Sequence, residues 1–484
     1  MTLSMLPRRF PLRLAALAAT ALLAACSSMA PKYQRPAAPV SATFPDGAIS
    51  DRTQAAADIA WQAFFPDPRL RELVALALQG NRDLRLAVLA IEQARAQSQI
   101  RNADRLPTVN AQATGLRSPN GSGGNTSVYT AGLALSAWEI DFFGRIASLS
   151  DAALAQYLAT EEGRKAAQIS LVAAVANTWL ALVADEDLLA ITRQTLSTRQ
   201  ESLRLARLRF ENGVTSELDF RQAESLTESA RVTLAQLQRQ RALDENALGL
   251  LIGQPLPATL QASAGIDAVT LPDLPAGAPS DLLVRRPDIR QSEQLLLAAN
   301  ANIGAARAAF FPRISLTAGI GSASNELTGL FKGGSWGFTL APSLLLPIFD
   351  AGRNQAGLQS ASVGRDIAIA QYERAIQVAF REVADALAGR STLTDQLQAQ
   401  RNVTAAESAR LKLSDLRYTN GVASYLDLLD AQRSLFAAQQ ALVLTRLAQL
   451  QNQVNLYKAL GGGWTEGAAQ PGPVSVRRPR QRRC

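Results

Sequence analysis

Two passages of this chain are written twice. Leu208-Arg209-Phe210-Glu211-Asn212-Gly213-Val214-Thr215-Ser216-Glu217-Leu218-Asp219 returns as Leu416-Arg417-Tyr418-Thr419-Asn420-Gly421-Val422-Ala423-Ser424-Tyr425-Leu426-Asp427, 208 residues on. Asn81-Arg82-Asp83-Leu84-Arg85 returns as Arg286-Pro287-Asp288-Ile289-Arg290, and the match runs on without a gap to Leu106-Pro107 and Phe311-Pro312. The chain is a tandem duplication, so any unit that one half folds into must be built again by the other. Each half reads as a helix of moderate length, two strands, a very long helix, a tight reversal and a shorter helix.

The expected segments are 1–25 as a secretory signal, 26–67 as an extended stretch, 68–252 as the first repeat, 253–282 as a Pro-rich linker, 283–460 as the second repeat and 461–484 as a disordered basic tail. Within the repeats, strands are expected at 107–117, 127–140, 312–321 and 335–348, with loops at Asn120 to Asn125 and Ser322 to Gly334. Long helices are expected at 145–211 and 353–418, and shorter ones at 216–251 and 424–460.

The strands alternate. In Tyr129 to Ser136 one face is apolar and the other small or hydroxylated, and Ser335 to Leu340 repeats the pattern. A sheet packed on a soluble core would also alternate, but each run approaches the ~9–11 residues that cross a bilayer as a tilted strand. After the signal, no run reaches the ~18 unbroken apolar residues of a spanning helix, so a barrel is the route across a membrane. Four strands cannot close a barrel, since the smallest have about eight. Open edges in lipid would leave backbone amides unpaired, so several copies must pool their strands. Two copies would make a plugged barrel and three an open pore; the physics leaves the choice open.

Neither Arg145 to Phe210 nor Arg353 to Tyr418 contains proline. At ~1.5 Å per residue each run can form a rod of roughly 100 Å. Val175, Leu182, Leu189, Leu196, Leu203 and Phe210 recur at sevens, as do Ile369, Ile376, Val383, Leu397, Leu411 and Tyr418, with breaks at Arg390 and Thr404. That period implies one narrow coiled-coil seam with wet flanks, suited to a water-lined ring of helices or to a plain antiparallel pair. Gly213 and Gly421 are the expected helix stops, and Ser216/Asp219 and Ser424/Asp427 carry capping-box spacing for the helices that follow.

At the amino end, Arg8, Arg9 and Arg13 precede the apolar run Leu14 to Ala25, a secretory signal. Leu23-Ala24-Ala25-Cys26 resembles the bacterial lipobox, which implies a diacylglycerol thioether on Cys26 as the anchor; Ser27 in the next position favours the outer membrane. The other cysteine is Cys484, so packing and not a disulfide must hold the mature chain. Three arginines of the signal and five between Arg477 and Arg483 account for the formal charge of +8, which removes the case for nucleic-acid binding. Histidine is absent, and with it the commonest general base and metal ligand. An enzyme would have to rest on carboxylates such as Glu161 and Glu162, which read as exposed helix residues.

Taken together, these segments resemble the lipoprotein (NodT-type) branch of the TolC-like outer membrane factors. The resemblance is carried by the lipobox, Tyr33-Gln34-Arg35-Pro36, Trp138 to Arg145, Arg285 to Ile289, Phe311-Pro312, Pro347 to Arg353, Leu429 to Arg433 and Val454 to Trp464. It implies a mainly α fold with a β-barrel part: a homotrimer with a twelve-stranded barrel and a twelve-helix periplasmic tunnel, the exit duct of multidrug efflux. It implies a periplasmic membrane-fusion adaptor and an inner-membrane pump of the resistance-nodulation-division type as partners, outer-membrane lipid around the barrel, and no cofactor beyond the lipid on Cys26. The resemblance puts the adaptor on the reversals Asn212, Gly213, Val214, Thr215 and Asn420, Gly421, Val422, Ala423, and a closing iris on Leu426, Asp430, Arg433 and Tyr418. Asp430 and Arg433 lie i, i+3 on one helix, close enough to pair with each other, and Tyr418 is the other expected partner of Asp430. A type I protein-secretion duct has the same outline and is the alternative; a lipid-anchored coiled coil without a pore would leave the strands unused.

Overall fold

In the computed structural model the described residues are 28–44, 56–121, 123–257, 259, 265–274 and 279–464. Cys26, the signal and residues 465–484 lie outside them. The elements in order are α1 (Trp61–Phe64), α2 (Pro68–Gly80), α3 (Arg82–Ala103), β1 (Val109–Pro119), β2 (Asn125–Glu139), α4 (Arg145–Glu211) and α5 (Glu217–Ile252). The second half gives α6 (Pro279–Arg285), α7 (Pro287–Ala308), β3 (Arg313–Ser324), β4 (Trp336–Leu345), α8 (Arg353–Thr419) and α9 (Tyr425–Ala459). The chain forms two compact units: residues 1–38, 89–162 and 290–374, and residues 39–88, 163–289 and 375–484.

The first unit holds one antiparallel sheet in the order β1-β2-β3-β4. Its register places Ala111, Leu133, Ile320 and Phe338 side by side, and Val109, Leu135, Ala318 and Leu340 beside them on the same face. The opposite face carries Gln112, Gly132, Gly321 and Gly337, then Thr114, Thr130, Ala323 and Ser335. Phe338 is 82% exposed and Trp336 64% exposed, so the apolar face is open, and β1 and β4 are exposed on their opposite face as well. Between Leu135 and Trp138 the β2–β3 register slips, with Ala137 at φ 48°. The sequence places a loop from Ser322, whereas β3 continues to Ser324, because β2 offers Tyr129 to Ala131 as partners. β4 ends at Leu345, three residues earlier than expected.

Both strand-to-helix junctions use an aspartate. Asp141 accepts from the amides of Arg145 and Ala147, each at 2.7 Å, and Asp350 from those of Gly352 (3.0 Å) and Asn354 (2.9 Å). Each thereby satisfies the unpaired N–H groups that open a long helix. Arg145 grips Glu139 with two hydrogen bonds of 2.8 and 2.7 Å, and Arg313 reaches the same carboxylate at 3.3 Å.

The second unit contains the larger core, with Phe64, Phe65, Leu73, Val175, Trp179, Leu182, Leu189, Val383, Val454 and Tyr457 buried. The most apolar 18-residue window of α4 is 61% buried inside the protein, as befits a core helix. Stretch 26–67 was expected to be extended, yet α1 lies in it and sends Trp61 and Phe64 into this core, where Phe64 stacks on Tyr457 at 4.0 Å. The tail also starts later than expected. Residues Gly461 to Gly463 are buried, Gly462 lies where any Cβ would strike the Tyr457 ring at 2.2 Å, and Lys165 sits 5.1 Å over Trp464. The linker, too, is pinned: Asp187 accepts from Ile266 N at 2.7 Å, and Arg446 and Arg390 donate to the carbonyls of Val269 and Leu274.

Glu162 departs from the sequence reading as an exposed helix residue. It is buried and paired with Arg290 at 2.9 Å, because that turn of α4 faces α7 and not solvent. Glu161 is half-buried and accepts from the Tyr157 hydroxyl.

Candidate functional site

The two reversals end their long helices in the same way. Val214 N bonds Arg209 O at 2.8 Å and Gly213 N bonds Phe210 O at 2.9 Å; Val422 and Gly421 repeat this on Arg417 and Tyr418. These are Schellman turns, and the glycines supply the left-handed backbone at φ 68° and 71°. The capping boxes differ. Ser424 and Asp427 form the complete reciprocal pair, but at the first reversal Asp219 turns its carboxylate to the hydroxyls of Thr215 (2.7 Å) and Ser216 (2.9 Å), so that box is only half made. Val214 and Val422 stand 69% and 67% exposed, and Leu218 and Leu426 hold equivalent exposed positions one turn later. The reversals therefore present apolar tips on rigid turns.

Behind the second tip lies a charged cluster. Asp430 on α9 accepts from Arg433 at 2.6 Å, one turn on, and from Arg410 of α8 at 2.5 Å. Hydrogen bonds from Arg433 first and Arg410 second hold its carboxyl below the usual aspartate range. Arg410 also reaches Glu407 at 3.2 Å. Tyr418 does not supply the second partner of Asp430; its hydroxyl accepts from Arg209 of α4, whose guanidinium lies 5.7 Å over the ring. Tyr418 packs against Tyr425 at 5.3 Å. Burial, ahead of the nearby Tyr418 and Asp219 charges, pushes the Tyr425 hydroxyl up to about 12, and its oxygen is buried without a hydrogen-bond partner.

The sequence offered Arg433 through its spacing and gave no sign of Arg410 or Arg209. Both come from other helices, 20 and 209 positions away from their partners, where no local period points to them. Arg199 is a further unforeseen member: buried, it bonds Leu226 O at 3.0 Å, and its guanidinium lies 5.1 Å over Phe436. Burial lowers its pKa first, the charge of Arg433 second. No group of acidic or cysteine side chains fit for a metal occurs among the described residues.

Comparison with known proteins places this geometry. The sequence profile of the outer membrane efflux protein family matches residues 73–254 and again 278–462, once per repeat. The probable efflux pump outer membrane protein TtgC of Pseudomonas putida is 48% identical over 468 residues, 94% of this chain and 97% of that protein. Outer membrane protein OprJ of Pseudomonas aeruginosa is 47% identical, over 92% of this chain and 94% of its own. Among solved structures, the open state of the Neisseria gonorrhoeae MtrE outer membrane channel superposes with a TM-score of 0.84 at 41% identity, covering 92% of this chain and all of that one. These matches run along nearly the whole chain, and the protein belongs to the outer membrane efflux protein family.

Proposed function

We propose that this chain is the outer-membrane exit duct of a tripartite efflux pump, passively conducting small molecules delivered by an inner-membrane transporter and a periplasmic adaptor. One observation carries the reading: a four-stranded sheet with an exposed apolar face, a polar and glycine-lined opposite face, and β1 and β4 each with a single partner among the described residues. Such a sheet satisfies its amides in lipid only by joining other copies of itself, with the polar face inward around water. Three copies give twelve strands and an open lumen, as the resemblance to the family implies. The relatives include toluene and antibiotic efflux pump proteins, which favours drugs or solvents over secreted polypeptides as cargo. Mechanistically the duct needs no bond-making group; the energy comes from the pump.

In this reading Cys26 carries the lipid anchor, and the exposed tips Val214 and Val422 with Asn212, Gly213, Thr215, Asn420, Gly421 and Ala423 receive the adaptor. Leu426, Asp430, Arg433 and Tyr418 form the periplasmic iris, with Arg410 and Arg209 as the clasps that hold α9 and α8 against their neighbours. Copies of Asp430 brought together on an axis would repel one another, and the two guanidinium partners neutralise each copy. The test is the current through purified protein in a planar bilayer. Asp430→Asn combined with Arg433→Gln should raise single-channel conductance several-fold over the parent; an unchanged conductance removes these residues from the iris. Absence of any conductance from the parent and the variant alike removes the duct itself.

A further inference from the structure

The amino-terminal residues of the first unit lie along α7 as a strap running in the opposite direction. Arg307 donates to Met29 O at 3.1 Å, Asn300 to Pro31 O at 2.7 Å, and Glu293 accepts from Tyr33 at 2.9 Å and from Arg35 at 2.7 and 2.8 Å. The helix anchors are seven apart, two full turns, so they form a single stripe. Gly304 lies within that stripe, and there a Cβ would stand 2.6 Å from both Ala30 N and the Ser148 hydroxyl. Ser28 closes the strap on the same buried Ser148 at 3.1 Å. Five side-chain anchors on eight residues of irregular chain hold the amino end in a fixed place, and the glycine is there to let it in.

At that end the strap borders an open hollow of about 410 Å³ lined by Met29, Arg307, Phe310 and Phe311. Phe310 and Phe311 are 40% and 42% exposed, and Phe311 is held by stacking on Phe143 at 4.9 Å. The Arg307 guanidinium is turned to the Met29 carbonyl. What remains is thioether and aromatic surface, suited to hydrocarbon. Ser28 is the first described residue, and Cys26 precedes it by two.

We propose that this hollow is a cradle for the acyl chains on Cys26, and that the strap is the device that delivers them there. The inference rests on Cys26 being lipidated. A diacylglycerol carries enough hydrocarbon to hold in a bilayer, and a chain seated against the protein's own aromatic surface would bind the lipid to the fold as well.

The full-length protein made in cells with a photoreactive benzoylphenylalanine at position 310 tests it. After irradiation, trypsin and mass spectrometry would identify what residue 310 has captured. The expected product joins the peptide spanning 308–313 to the acylated peptide spanning 26–32 with the new bond on an acyl chain; a bond on Met29 alone would overturn the cradle. Gly304→Val, which pushes the strap away, should abolish that product while Cys26 remains acylated. Should Gly304→Val not assemble, Glu293→Gln loosens the far end of the strap and should diminish the same product. Capture of bulk phospholipid alone, or of a second copy of the chain, by protein whose Cys26 is acylated would overturn the cradle. An amino-terminal peptide without acyl groups would overturn the lipoprotein reading, and the cradle with it.

Discussion

Asp430 takes part in two ion pairs, and its behaviour with pH follows from their direction. Its carboxyl is held below the ordinary range, so the contribution of the clasp is present above the normal aspartate pKa and is lost only as pH falls through the depressed value. Parent conductance should therefore stay flat between pH 7 and pH 5, measured in the bilayer. Asp185 behaves in the opposite sense. It is buried in α4, and burial first, then its hydrogen bond to Asp244 and the charges of Asp244 and Glu186, push it up to about 7, with Arg241 opposing. Arg241 itself bridges from α5 to Glu186 of α4 and to Glu245 at 2.7 Å. A raised acid binds more protons folded than unfolded, so stability declines as pH rises from the ordinary aspartate pKa toward 7, at up to about 1.4 kcal/mol per unit. Asp185→Asn should flatten that decline and raise the melting temperature at pH 7.5 relative to pH 5; a parent melt that is level across this range would refute the raised Asp185 carboxyl. The spacing of Asp430 and Arg433 made one of its pairs legible in the sequence, but not the second pair with Arg410, nor the burial of Asp185. Asp185 sits in Ala184-Asp185-Glu186-Asp187, where nothing local singles out one carboxyl, and α5, which brings Asp244 beside it, is what sets Asp185 apart.

Among the elements, the long helices were the most legible because their period is strong and local. Val175, Leu182, Leu189, Ile376, Val383 and Leu397 are buried as the sevenfold seam requires, while Phe210, at the end of α4, is 37% exposed. The breaks in the second seam have physical uses that a heptad count cannot reveal. Arg390 pairs with Asp273 at 3.3 Å, and Thr404 donates to Ala438 O at 3.2 Å, so each fastens α8 to a neighbouring segment. The Arg285 to Ile289 motif carries part of the family resemblance, and the structure supplies its physical reason. Arg286, only 7% exposed in its side chain, holds Asp288 at 2.5 Å, Glu382 of α8 at 2.9 Å and the carbonyl of Ala459 at the end of α9 at 2.8 Å. Three elements meet on one guanidinium. Removing one member of a buried ion pair leaves its partners uncompensated and costs about 3–5 kcal/mol. Arg286→Ala should accordingly lower the melting temperature by several degrees without changing the conductance of protein that still assembles, whereas an unchanged melt would show that the motif has another purpose.

For the whole molecule, copy number is the quantity that neither the pattern of residues nor a single chain determines, and the free edges supply a way to measure it. Within the chain all three pairings are antiparallel, so β1 and β4 run in opposite directions. Rotational copies therefore bring β4 of one chain beside β1 of the next in the same antiparallel sense that the rest of the sheet uses, at about 4.8 Å spacing. Closure around an axis leaves no edge, while an open array would go on adding chains. Polar-face positions Gln112 in β1 and Thr339 in β4 lie on these edges. In protein with Cys484→Ser, a cysteine scan around Gln112 paired with one around Thr339 should find registers in which the α-carbons fall within the ~4.4–6.8 Å that a disulfide spans. On denaturing gels without reductant such pairs should give a ladder that stops at three linked chains. A ladder ending at two would indicate the smaller, plugged barrel, one without end would indicate an open assembly, and the absence of any linkage at every register would show that these edges are covered by something other than a second copy.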